Sequence, residues 1–198
     1  APRAQADKLK YSEIARKLVE QQNNLDTLQD TVVDIITEMG QNQRQKITAI
    51  VTERGRKIPV KAAILTTGTF LGGKIFIGEF DAPNGRLGEG GAYGLTENLK
   101  RLGFSVGRLK TGTPPRVLKS SIDFSKLEVQ DGDTEIIPFS YDNKTINRPM
   151  VPCHLVYTNE KTHELIRKNI GRSPLYSGKI SGVGPRYCPS IEDKVMRF

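Results

Sequence analysis

The residues best suited to chemistry lie close together: Arg186, Cys188, Pro189, Glu192 and Asp193. Proline suits the first position of a helix, where its missing N–H costs nothing, and acidic residues suit a first turn. The spacing predicts a helix beginning near Cys188-Pro189, with Pro189 at its first position, Cys188 at or beside the N-cap and Arg186 two residues earlier. A helix N-terminus and a nearby cation both favour the thiolate, which makes Cys188 a candidate nucleophile. The competing reading is a small, buried, apolar cysteine. A second cluster, Arg108-Leu-Lys110-Thr-Gly-Thr-Pro-Pro-Arg116, sets three cations around a turn stiffened by glycine and proline. Rigid Arg and Lys side chains at such a turn can clamp a phosphate, or can form a basic surface loop.

Other patterns carry less. Gly68-Thr-Phe-Leu-Gly-Gly73-Lys74 matches the first part of a phosphate-binding P-loop. The next residue is Ile75, so the hydroxyl that would hold Mg²⁺ is missing, and Ile75-Phe76-Ile77 reads as a strand where a P-loop opens a helix. No GxGxxG follows a strand, so a dinucleotide cradle, if one serves this protein, lies outside the chain. Cys153 and Cys188 fit no zinc spacing, and no metal site is expected. Cys153 and His154 are adjacent on an expected strand and point to opposite faces, which argues against a Cys–His pair. His154 and His163 read as structural or surface residues.

The elements that must position these residues follow from periodicity. Tyr11, Ile14, Ala15, Leu18 and Val19 recur at helical spacing, which predicts an amphipathic helix over 7–22 capped by Asp7 and ended by Asn23-Asn24. Strands are expected at Leu25–Glu38, Lys46–Thr52 and Lys57–Val60, the last two joined at Arg54-Gly55. The apolar run 62–67, bounded by Gly68, reads as a central strand buried on both faces. Nine glycines between Gly68 and Gly94 indicate close backbone approaches, an ordered loop system or flexibility. A short helix is expected from Leu95 to Leu102 with Gly103 closing it, then a strand and a proline-fixed turn over 104–116. Residues 117–149 are polar and poor in strands. A helix is expected over Asn159–Ile170, capped by Thr158 or Asn159 and closed by Gly171.

A formal net charge of +8 favours anionic partners, nucleic acid first among them. No apolar run approaches the roughly 20 residues that span a bilayer. The chain opens on Ala1-Pro2 and stops at Phe198, so it reads as an internal piece of a longer protein.

Several stretches together resemble one family, the glucose-inhibited division protein A family and its mitochondrial homologues. They are PRAQADK (2–8), ILTTGTFLGGKIFIG (64–78), GRLGE (85–89), GRLKTGTPPR (107–116), IDFS (122–125), VPC with TNEKTHE (151–164) and GPRYCPSIEDKVMRF (184–198). They occur in family order and cover nearly the whole chain. The resemblance implies an enzyme that binds FAD, uses NADH and takes a carbon from 5,10-methylenetetrahydrofolate. With a tRNA-modification GTPase as partner, it would add a carboxymethylaminomethyl-type group to C5 of the wobble uridine of tRNA. It implies a homodimer, with no membrane attachment, in the bacterial cytoplasm or the mitochondrial matrix. The implied fold class is α/β, with α+β character in the insertion. Residues 1–78 would be part of a glutathione-reductase-type FAD-binding domain. Residues 79–198 would form an inserted NAD-binding region and the return toward the FAD domain.

The same resemblance implies site residues. Cys188, Arg186 and Lys110 would serve catalysis. Val32 would line the adenine side of FAD, and Thr67, Gly68 and Thr69 would approach it at a turn. The nicotinamide-associated run would comprise Gly184, Pro185, Arg186, Tyr187, Cys188, Pro189, Ser190, Ile191, Glu192, Asp193, Lys194, Val195, Met196, Arg197 and Phe198. Ala92 stands where many members carry a serine that touches FAD, and Gly90-Gly91 replace a common Pro-Pro, so that contact would have to use the backbone. Two other readings are a related folate- and FAD-dependent tRNA methyltransferase and a basic RNA-binding module without activity of its own.

Overall fold

The computed structural model describes residues 4–41, 43–182, 184 and 189–197. They form two compact units. One comprises Ala1–Ile75 with Asp81–Val106, the other Phe76–Phe80 with Gly107–Phe198.

In the first unit, helix α1 (Lys8–Glu20) starts at Asp7, whose carboxylate accepts from the N–H groups of Leu9 at 2.9 Å and Lys10 at 3.1 Å. That satisfies two of the N–H groups a helix start leaves without an internal partner. Ion pairs Arg16–Glu20 and Lys17–Glu13 link successive turns. No residue of α1 is buried, and Tyr11, Ile14 and Leu18 face solvent.

Strands β1 (Val32–Met39), β2 (Gln45–Thr52) and β3 (Lys57–Pro59) form an antiparallel sheet in that order. The first strand is shorter than expected, because 25–31 lies outside any ladder. Its β-branched residues pair with β2 from Val32 onward, with a register shift between Val32 and Asp34. Helix α2 (Leu95–Arg101) covers one face. Leu95 and Leu99 bury against Ile35, with Val32, Ile47, Ile50, Leu71, Leu102 and Val106 around them. Gly103, at φ 89°, follows the helix as expected.

Asn98 of α2 ties helix to sheet. Its side-chain carbonyl accepts from the Ile35 N–H at 3.2 Å, and its amide N–H donates to the Ile35 carbonyl at 3.3 Å and to Asp34. Arg101 pairs with the same Asp34 at 2.8 Å. Gly94 opens the helix at φ 92°, and a Cβ there would lie 3.2 Å from the Val33 Cβ. Only glycine lets α2 start so close to β1 in that conformation.

The run 62–67 does not form the expected central strand. It lies outside every ladder among the described residues, Ile64 is 89% exposed and Leu65 is 47% exposed. An apolar run becomes a buried strand only where neighbours offer hydrogen bonds on both sides, and the described segments of this unit place none there.

The glycine-rich stretch resolves in favour of close approaches. Strands β4 (Ile75–Ile77) and β5 (Phe80–Ala82) pair, as do β6 (Asn84–Arg86) and β7 (Glu89–Gly90). A Cβ on Gly85 would collide with the Phe70 ring, and one on Gly73 would meet the Asn84 carbonyl oxygen at 2.9 Å. The Tyr93 hydroxyl donates to the Gly73 carbonyl at 2.6 Å. The P-loop resemblance ends as the sequence indicates: Lys74 leads into β4, not a helix, and pairs with Asp81 at 2.7 Å.

In the second unit, strand β8 (Glu128–Gln130) pairs antiparallel with β9 (Cys153–Leu155). Helix α3 (Glu160–Lys168) is capped by Asn159, whose side chain accepts from the Thr162 N–H at 3.0 Å. Gly171 does not close it. The helix ends at Asn169, and Gly171 sits inside a 3₁₀ turn, Ile170–Arg172. The expected strand within 104–116 is not among the named strands of the described residues, and Pro114-Pro115 offer no N–H to a ladder there. The last element is helix α4 (Ile191–Arg197).

Candidate functional site

The terminal run is anchored by its acids. Ser190 caps α4: its hydroxyl accepts from the Asp193 N–H at 3.3 Å and donates to Asp193 Oδ2 at 3.4 Å. The helix therefore starts at Ile191, and Pro189 lies two residues ahead of it instead of at its first position. The hydroxyl of Ser190 satisfies a helix N–H, which proline's ring can only dispense with, and so it fixes the start.

Asp193 also accepts from the Tyr176 hydroxyl at 3.2 Å and faces Arg197 at 3.6 Å. Loss of solvation, and then the hydrogen bond and charge of Asp193, push the Tyr176 hydroxyl above its usual pKa, while Arg197 pulls the other way. Glu192 accepts from the Ser173 hydroxyl at 3.0 Å, and Ser173 is buried. Partial burial favours protonated Glu192, but its own backbone N–H, the Ser190 and Ser173 hydroxyls and the Lys110 charge outweigh it. The carboxyl is held below its ordinary value and is ionised at neutral pH.

Lys110 and Glu192 come from two separately predicted segments, and the Lys110 charge is the least of the influences on Glu192. Gly182 touches the same cationic stretch: a Cβ on it would lie 3.2 Å from the Leu109 carbonyl carbon, 3.3 Å from the Lys110 nitrogen and 3.4 Å from the Arg108 oxygen. The segment 108–110 thus lies against the approach to the terminal run, and Lys110 is half-buried. Gly182, Ser173 and Tyr176 were not among the sequence-predicted site residues. The Ser190–Asp193 spacing was a legible signal for the cap, whereas nothing local marks a contact between residues 110 and 182.

An open cleft of about 570 Å³ adjoins this arrangement. Leu165, Ile166, Ile170 and Ile191 supply apolar walls, and Glu192 and Arg172 supply charge. Arg172 is held by Glu79 at 3.1 Å. Its lining thus sets an ionised carboxylate beside apolar side chains.

In the first unit, Thr67, Gly68, Thr69 and Phe70 make a tight turn, with Phe70 N–H donating to the Thr67 carbonyl at 3.0 Å and Gly68 at φ 55°. Gly68 is exposed, with nothing within 4 Å of the place a Cβ would take. The Thr69 hydroxyl donates to the Gly85 carbonyl at 2.9 Å. Ala92 already uses both backbone groups, its N–H donating to Phe70 and its carbonyl accepting from Gly72, each at 2.8 Å. Val32 is half-buried against the core.

Within the terminal run, Gly184 and Pro189 are exposed, Ser190, Glu192, Asp193 and Val195 are half-buried, and Ile191, Lys194, Met196 and Arg197 face solvent. Pro185, Arg186, Tyr187, Cys188 and Phe198 lie outside the described residues, and with them two of the three expected catalytic groups. On β9, Cys153 is exposed while the His154 ring packs edge-on to Phe124, centroids 4.7 Å apart. His163 bonds the Thr158 hydroxyl at 2.8 Å beside the start of α3. Among the described residues, no group of three or more His, Cys, Asp or Glu side chains could hold a metal ion, and no helix is long and apolar enough to cross a membrane.

The family model described as "Glucose inhibited division protein A" matches residues 1–198. The chain is 57% identical over 198 residues to the tRNA uridine 5-carboxymethylaminomethyl modification enzyme MnmG of Borreliella burgdorferi (strain ZS7), covering all of this chain and 31% of that protein. It is 50% identical over 202 residues to the protein of the same name from Treponema denticola, covering all of this chain and 32% of that protein. Among solved structures, Aquifex aeolicus GidA in its form I crystal matches all of this chain and 33% of its own, with a TM-score of 0.86 at 46% identity. The chain thus spans about a third of the length of these relatives.

Proposed function

The chain belongs to the glucose inhibited division protein A family, and from that footing we propose that it is an internal part of an enzyme that modifies C5 of the wobble uridine of tRNA with a carboxymethylaminomethyl-type group. One observation carries the reading: an unbroken match along all 198 residues, at 57% identity, to a protein named for that modification. The net charge of +8 suits a tRNA substrate. The finer reading adds FAD and NADH as cofactors, 5,10-methylenetetrahydrofolate as carbon donor, a GTPase partner, a homodimer and a glutathione-reductase-type architecture.

The residues present suit part of an FAD site. The exposed Gly68 turn, open above its backbone, lets a ligand approach Thr67 and Gly68 closely. The Ala92 N–H is spent within the protein, so a backbone contact there would fall to its carbonyl oxygen, which keeps a second lone pair. Val32 would hold its side of the site through packing. FAD, when bound, supplies hydride chemistry, and the pyrophosphate cradle must come from outside this chain. Lys110 would present its ammonium to an anionic group, and Cys188 would act as the thiolate that handles the uridine or works on the flavin side.

The test is Cys188→Ser in the full-length polypeptide that carries this chain, read by mass spectrometry of digested tRNA. The modified nucleoside should vanish while bound flavin absorbance stays. Modification that persists sinks the role of the thiol. A simple C5-methyl product from the wild-type protein would favour the methyltransferase reading instead.

A further inference from the structure

We infer that the hairpin joining β2 and β3 is a docking surface for the phosphate backbone of tRNA, with Arg54, Arg56, Lys57 and Lys61 as its contacts. The inference rests on the proposed tRNA substrate and deepens it. It assigns part of the affinity to residues that take no part in the chemistry.

The charge is concentrated here. Residues 39–78 hold seven cations and one acid, Glu53, and so carry six of the eight net positive charges of the chain. Three of those cations, Arg54, Arg56 and Lys57, fall within four positions at the hairpin turn.

The turn is built to hold them still. Thr52 is buried, and three bonds converge on it. Its N–H donates to the Arg56 carbonyl at 2.9 Å, its hydroxyl accepts from the Arg56 N–H at 3.3 Å, and its carbonyl accepts from the Gly55 N–H at 2.9 Å. Gly55 takes φ 79°, which closes the turn at no steric cost. The Glu53 N–H donates to the Thr31 carbonyl at 2.7 Å and ties the turn to the chain ahead of β1. Beyond β3, the Val60 N–H still donates to the Thr48 carbonyl at 3.0 Å, so Lys61 directly follows the paired stretch. Four residues of extended chain separate Lys57 from Lys61, about 13 Å, long enough to follow a backbone past several phosphates.

All four cationic residues are exposed, and among the described residues none of them forms an ion pair. Elsewhere in the same unit Arg16, Lys17, Lys100 and Arg101 are each held by an acid. The patch also lacks an apolar anchor, since no large hydrophobic residue described between Met39 and Ile64 is exposed. A protein partner needs such an anchor and a membrane surface needs an apolar face. Arginine forks and a lysine on a rigid turn suit phosphate oxygens, and contacts of that kind position a nucleic acid without reading its bases. Lys57, Pro59 and Lys61 also sit on or beside the edge strand β3, where lysine and proline discourage the addition of another strand. That duty would need no RNA.

The experiment measures binding of unmodified tRNA transcript to the full-length polypeptide by fluorescence anisotropy, across a series of KCl concentrations. The triple variant Arg54→Ala, Arg56→Ala, Lys57→Ala should bind about tenfold more weakly. Its plot of log affinity against log salt should be shallower by about 2, since each lost phosphate contact removes roughly 0.7–0.9. Arg54→Lys with Arg56→Lys, which keeps the charge, should stay near the wild-type slope. Lys119→Ala, Lys144→Ala, Lys168→Ala removes the same charge from exposed positions of the second unit and should leave the slope unchanged. In turnover, the hairpin variant should raise KM for tRNA and leave kcat alone.

An unchanged affinity and slope in the hairpin variant overturn the inference, as does an equal loss in the second-unit variant, which would show a diffuse effect of net charge. Self-association of the hairpin variant in sedimentation, with tRNA affinity intact, would assign the cations to edge protection and overturn it as well. A wild-type protein that binds tRNA through the hairpin yet modifies none would sink the proposed function and leave the docking surface standing. Glutamine at the same three positions keeps the test valid if the alanine variant fails to fold.

Discussion

The two units are held together by different means. Every buried residue among those described, apart from Ser173, belongs to the first unit. There, Ile35, Leu95 and Leu99 pack in an apolar cluster and a single amide, Asn98, completes the backbone pairing of Ile35. The second unit is tied by hydroxyl–carboxylate bonds at partly exposed positions: Ser173–Glu192, Tyr176–Asp193 and Ser190–Asp193. The lesson is a division of labour. Apolar packing carries no titrating group, whereas ties to a carboxylate change with its protonation and are screened by salt. The region that gathers the candidate catalytic lysine is therefore the one most open to electrostatic tuning, and local opening should begin there.

This contrast can be broken in order of size. Leu99→Ala should destabilise the first unit by about 2–5 kcal/mol, measured by denaturant unfolding, because it empties part of a small core. A loss near zero would mean that the cluster is not what holds that unit. Asn98→Leu should cost about 1–3 kcal/mol, since the Ile35 carbonyl and Asp34 would lose the amide donor, while the Ile35 N–H would keep only Asp34 Oδ1 at 2.9 Å. Gly94→Ala should cost about 1–3 kcal/mol, through strain at φ 92° and the contact with Val33. Ser173→Ala should cost only about 1 kcal/mol, and peptide-resolved hydrogen exchange should place the faster exchange in α4 and leave β1 and β2 unchanged.

A pH series sharpens the comparison further. Glu192 has a folded pKa below its ordinary 4.5, so its contribution is fully present above that value and is lost as pH falls through the lower, folded one. Exchange in α4 should rise as the solution is acidified below about pH 4.5, and Glu192→Gln should remove that dependence. The first unit's sheet should not follow the same curve.

Local patterns were legible and distant pairings were not. Asp7 as a cap, the turn at Gly55, the Leu95–Leu99 face and Gly103 all follow from spacing within a few residues. The run 62–67 misled because apolar composition reports a preference for burial and says nothing about whether neighbouring strands are at hand. Pro189 drew attention from Ser190, although the Ser190–Asp193 spacing was the stronger start signal. The meeting of Lys110 with Gly182, and of Asn98 with Ile35, joins positions more than sixty residues apart. No periodicity encodes such contacts. The whole-chain resemblance adds to the reading of Cys188 and Arg186, which their spacing ahead of Pro189 already marks.

The bond pair between Asn98 and Ile35 has a consequence for solubility. The two Ile35 groups it occupies turn away from β2, toward the side where another strand could add. A side-chain amide offers one donor and one acceptor in the same order as a passing backbone, so it plugs that slot without continuing the ladder. Proteins lacking such a plug recruit one another through open strand edges. Loss of Asn98 should therefore announce itself first as concentration-dependent association, visible in light scattering at temperatures where each molecule is still folded.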